Sequence, residues 1–145
     1  MFGDLLNRLF DPAPEVLPDA DARLALSALM VRLARADGYY DADERARITA
    51  VLSQRYALDQ AGAESLREEA ETLEGEAPDT VRFTRAIKDA VPHDTRLEVI
   101  EALWQVALAD GSRDAAEDSL IRMVVSLLGF TDQESARARR RMSGA

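Results

Sequence analysis

Two stretches of this chain repeat one another, and that repeat decides most of what the chain can fold into. LMVRLARADGYYDADERARITAVL, residues 29–52, aligns without a gap with ALWQVALADGSRDAAEDSLIRMVV, residues 102–125, at an offset of 73. Asp37 matches Asp110, Gly38 matches Gly111, Asp41 matches Asp114 and Glu44 matches Glu117. The apolar positions agree as well: Leu33 with Val106, Ala34 with Ala107, Ile48 with Ile121, Val51 with Val124. Each copy reads as helix, tight turn, helix, with the pattern A-D-G-x-x-D-x-x-E. Apolar residues recur at helical spacing on both sides of the turn. Glycine closes the first helix because it takes the left-handed conformation without strain. Asp41 opens the second, and Glu44 three residues on completes a capping-box pattern. A hairpin with a single apolar stripe cannot bury it alone. The expected fold is therefore all-α, a compact bundle of seven or eight helices around two duplicated hairpins, packed face to face about a pseudo-twofold axis.

Helical periodicity continues on either side of the hairpins. It predicts helices over residues 21–36, 41–56, 61–73, 80–90, 94–109, 115–128 and 133–142. A short N-terminal helix carries Phe2, Leu5, Leu6 and Leu9 on one face, before Pro12, Pro14 and Pro18 impose an extended connection. Packing on the core is the preferred role for that segment. The division is then residues 1–18 as helix and connection, 19–131 as the helical domain, and 132–145 as a last helix and basic tail. No alternating β-branched run and no Asn-Gly hairpin argues for strands. With 145 residues, 47% of them apolar, one domain is the natural size, able to bury about 68% of its unfolded surface.

Charge narrows the function. With 18 basic and 27 acidic residues the net charge is −9, which argues against a nucleic-acid partner, since phosphates demand a cationic face. The only basic cluster is Arg137, Arg139, Arg140 and Arg141; four such charges give weak attraction to an anionic membrane at best. There is no cysteine, so thiolate metal sites and thiol catalysis are excluded and a cytoplasmic setting is expected. Asp4 stands where a secretory signal would be basic, and no apolar run approaches the ~20 residues of a membrane span.

The repeated A-D-G-x-x-D-x-x-E hairpins, in an acidic helical chain of this length, resemble the TerB-like family, named for bacterial tellurite resistance. A related domain occurs in some DnaJ-type co-chaperones. The resemblance spans roughly residues 20–130 and is carried by the two hairpins. It implies an all-helical, non-enzymatic bacterial domain associated with stress responses and a suspected connection to divalent metals.

The residues themselves leave two readings of the acidic turns. Asp37 and Asp110 each sit at a helix C-terminus, where the helix dipole disfavours an anion by ~0.3–1 kcal/mol. In one reading Asp41 and Asp114 are N-caps and Glu44 and Glu117 their capping-box partners, which needs no ligand. In the other, Asp37, Asp41, Glu44, Asp110, Asp114 and Glu117 supply oxygens to a hard cation, calcium or magnesium, with waters or ligands drawn from both repeats. The spacing is not that of an EF-hand. No other cofactor is implied.

Catalysis is not expected. His93 is the sole histidine and reads as a loop or helix-start residue, and no nucleophile elbow, phosphate-binding glycine loop or zinc-protease motif occurs. Trp104 and Phe83 fall on apolar helical positions and are expected in the core. Tyr39 and Tyr40, adjacent in a tight turn, are candidates for contact with a protein partner, a class of surface in which tyrosine is enriched. The carboxylates between Glu64 and Asp79 read as a solvated helix face and loop.

Overall fold

The computed structural model describes residues 19–36, 38, 40–77, 79–108 and 115–143, with the side chains of 19, 20 and 115–117 excepted. The described residues form seven helices and no strand: α1 (Asp19–Ala34), α2 (Ala42–Tyr56), α3 (Gln60–Glu76), α4 (Thr80–Ala90), α5 (His93–Leu108), α6 (Ala115–Leu127) and α7 (Asp132–Ser143). The helix expected in residues 1–10 lies outside them. The bundle is all-α, as the periodicity predicts.

The hairpins occupy its centre. α1 meets α5, α2 meets α5, and α1 meets α6. Corresponding repeat positions are buried in both copies: Leu33 with Val106, Ala34 with Ala107, Ile48 with Ile121, Val51 with Val124. Each first helix is apolar almost all round, as a central helix must be. Within α1, Ala25, Leu26, Ala28, Leu29, Met30 and Val31 are all buried.

The likeness of the two halves extends one helix beyond the hairpins. α3 lies along α1 as α7 lies along α5. Both pairs run in the same direction: Arg32 meets Glu74 near the ends of α1 and α3, and Trp104 meets Ser135 while Arg96 reaches the Leu128 carbonyl. The connections into these third helices are alike too. Ala57 and Gly129 both take positive φ, 54° and 89°. The next amide then bonds back to the fifth residue before it, Leu58 N–H to the Ser53 carbonyl at 3.1 Å and Phe130 N–H to the Val125 carbonyl at 3.0 Å. This is the Schellman closure, with an apolar residue following the left-handed one. Asp59 and Thr131 then cap the new helices through the amides of Gly62 and Glu134. α4 joins the two halves and rests on α6 and α1, burying Phe83, Ala86 and Ile87.

α3 runs on to Glu76, three residues past its predicted end, through Gly75. The acidic stretch around it is only partly a solvated face. Glu74 takes Arg32 Nε and Nη2 at 3.0 and 2.9 Å and also pairs with Arg35. Arg32 donates further to the Glu74 carbonyl at 3.1 Å and lies 5.5 Å from the Phe83 ring centroid. Glu71 pairs with Arg67 at 3.2 Å, whereas Glu68, Glu69 and Glu76 are exposed. The carboxylate that α1 holds gives the end of α3 a reason to stay helical.

Candidate functional site

The first acidic turn is built by the end of α1 and the start of α2. The Arg35 N–H donates to the Val31 carbonyl and the Gly38 N–H to the Arg35 carbonyl, both near 3 Å, and Gly38 sits at φ 84°. That is the left-handed closure the sequence predicts. Asp41 is the N-cap of α2: its Oδ1 accepts the Glu44 N–H at 2.9 Å. One half of the predicted capping box is thus present. Asp43 and Glu44 occupy the first turn of α2, where the helix dipole favours anions.

Of the residues assigned to a cation site, Asp41 and Glu44 are described; Asp37, Asp110 and Asp114 and the side chain of Glu117 lie outside the described residues. Asp41 is exposed and Glu44 half-buried. Glu44 lines a crevice of about 10 Å³ with Ala34, Arg47 and Val106. Val106 belongs to α5, the first helix of the other hairpin, so the carboxylate of one repeat stands beside the turn-proximal end of the other. A volume of that size holds about one water molecule. Among the described residues no three histidine, cysteine, aspartate or glutamate side chains converge on one point.

Tyr40 is described and Tyr39 is not. Tyr40 is half-buried against the core, its ring 4.9 Å from the Arg35 guanidinium and 5.7 Å from that of Arg45. Arg45 also donates to the Tyr40 carbonyl at 3.2 Å. The phenol oxygen is buried beside Glu71 and Arg67. Burial first, and then the Glu71 carboxylate, push its pKa well above the ordinary tyrosine range. Burial raises the pKa of Tyr56 in the same way.

His93 begins α5, is exposed, and rests its ring 4.7 Å from that of Phe130. Trp104 is buried; its Nε1–H donates to Ser135 Oγ at 2.9 Å, and Arg139 lies 5.6 Å from its ring centroid. Phe83 is fully buried. The basic cluster on α7 divides: Arg141 pairs with Glu101 at 2.8 Å and Arg139 covers Trp104, while Arg137 and Arg140 are exposed. Three capping aspartates or threonines went unread in the sequence: Asp59, Asp79 and Thr131. Thr131 and Glu134 form the full reciprocal box, at 2.9 and 3.1 Å, and those bonds lower the Glu134 pKa. An Asp or Thr just ahead of each helix was the available signal.

The fold and this turn define a class: an acidic all-helical domain built on two repeated segments that each carry the pattern A-D-G-x-x-D-x-x-E. The model of the family described as tellurite resistance protein TerB matches residues 23–140. The chain belongs to that family. No curated protein and no solved structure matched it.

Proposed function

We propose that this chain is a non-enzymatic, stress-associated binding module of the TerB type that takes a divalent cation, calcium or magnesium, at its acidic turns and acts through protein contacts. The observation that supports it is the position of Glu44, half-buried in a small crevice at the junction of the two hairpins. A hard cation needs six to eight oxygens for calcium or six for magnesium. Asp41 spends one oxygen on its cap and keeps the other; with Glu44 that is two carboxylates from the first turn. Asp37, Asp110, Asp114 and Glu117 would supply the rest, together with water. The Tyr39–Tyr40 turn is the proposed protein contact, with Tyr40 anchored on the core; it belongs to the first repeat alone, since the second has Ser112 and Arg113 there.

The 2.9 Å cap from Asp41 favours a second reading, in which the turns are structural and the domain is a scaffold without a ligand. Thermal unfolding with calcium, magnesium, manganese or zinc, against a chelated sample, separates the two. A ligand bound only by the folded state adds about 2.7 kcal/mol at 100 times its dissociation constant. For a domain of this size that is a rise of several degrees. The cation reading expects one ion to raise the midpoint and the effect to vanish in an Asp37→Asn, Asp110→Asn double variant. No shift with any ion leaves the turns as helix caps.

A further inference from the structure

We propose that Met142 is a site of oxidation by hydrogen peroxide, and that Arg55 receives the sulfoxide oxygen and so tightens α7 on α2. Met142 stands in the last turn of α7 and packs, half-buried, against the core. It lines a groove of about 310 Å³ with Ala50, Val51 and Gln54 of α2 and Gln105 and Leu108 of α5. Its Sδ accepts an N–H from Arg55 Nη2 at 3.5 Å. That guanidinium is held in place. Arg55 Nε–H donates to Gln105 Oε1 at 3.0 Å, and Gln105 in turn donates to Gln54 Oε1 at 2.7 Å. Among the described residues no carboxylate pairs with Arg55, so a strong donor is spent on a thioether, a weak acceptor. Oxidation removes that mismatch. A sulfur lone pair forms the S–O bond to one peroxide oxygen as the O–O bond breaks, and sulfur is oxidised by two electrons. The departing hydroxide takes the proton of the transferred oxygen and leaves as water. The new oxygen carries partial negative charge and accepts a charge-assisted bond from the guanidinium. It needs less than the roughly 30 Å³ of one water molecule, and the unbranched side chain turns it toward Nη2. A sulfoxide ordinarily disrupts the packing around it. Here the groove gives it room and Arg55 gives it a partner. Met30, only 1% exposed, is shielded from the same reaction. This inference is independent of any cation.

The absence of cysteine leaves no thiol to consume the peroxide. The full chain is treated with hydrogen peroxide while folded, and the oxygen gained at each methionine is followed by peptide mass spectrometry. The proposal expects Met142 to gain one oxygen many-fold faster than Met30. The Arg55 side-chain N–H signals should move downfield in step with that gain, and should stay in place when Met142→Leu is treated alike. The melting midpoint of the oxidised parent should match or exceed that of the untreated chain. In Arg55→Gln, which lacks the guanidinium, the same oxidation should lower the midpoint by several degrees. Met142 that stays reduced overturns the proposal, as do Arg55 signals that do not move while Met142 oxidises. An oxidised parent that loses as many degrees as oxidised Arg55→Gln overturns it too, because Arg55 then gives the sulfoxide nothing.

Discussion

Ala57 and Gly129 do the same work with different side chains. Both close a helix in the left-handed region, yet only glycine does so without a Cβ penalty. Two substitutions with opposite signs follow. Ala57→Gly relieves strain and offsets its greater unfolded-state entropy, for a net gain of about 0.5–1 kcal/mol; Gly129→Ala loses about 1 kcal/mol. At Gly129 a new Cβ would stand 3.6 Å from Lys88 Cε, an ordinary contact, so the loss is conformational. Chemical denaturation of both variants checks the pair. The tyrosines give a pH prediction. Tyr40 and Tyr56 have raised pKa values, so the folded state holds their protons longer than the unfolded chain does. Their contribution is complete below the unfolded value of about 10 and is lost as pH rises through the folded values. Phenolate absorbance in the native protein should show Tyr40 and Tyr56 titrating late, with stability falling above pH ~10. Three ordinary titrations would contradict this.

At the scale of the helix, the sequence located every described element within about three residues, because strong 3.6-residue periodicity and Asp-Gly or proline punctuation mark both ends. What it did not disclose were contacts between helices. Nothing local says that Glu74 meets Arg32, 42 residues away, or that this pair ties α1 to α3. Removing one partner of this partly buried pair leaves two arginines without their carboxylate, so Glu74→Ala should cost about 1–3 kcal/mol. Arg35, with 37% of its side chain exposed against 14% for Arg32, should cost at most about 1 kcal/mol when replaced by alanine. A denaturant series on both variants tests the ranking. The likeness of α3 and α7 was also hidden. One has six glutamates and the other four arginines, and the offset slips from 73 within the hairpins to 72 from Ala57 to Gly129. α7 buries only Ser135 and Ala138, so the Trp104–Ser135 bond matters to its docking. Ser135→Ala should lower stability by about 1 kcal/mol or more and change the emission of Trp104, the sole tryptophan.

Over the whole molecule, the first acidic turn brings Glu44 beside Val106 of α5, and the cation proposal is a statement about that junction. The hairpins and their family were readable because the A-D-G-x-x-D-x-x-E pattern occurs twice. The crevice joining Glu44 to Val106 was not, since it depends on how the halves meet. Capping accounts for Asp41 in the first turn, but a cap needs no further carboxylate ahead of it in the sequence, and the repeat carries one twice, as Asp37 and Asp110. Calorimetric titration of the full chain with calcium and with magnesium tests this most directly. The account predicts saturable binding of one ion per chain for at least one of the two metals, weakened by Asp37→Asn and by Asp110→Asn alike because both turns serve one site. Absence of binding heat for both metals across temperatures, or two independent ions each lost with only its own turn, would contradict it.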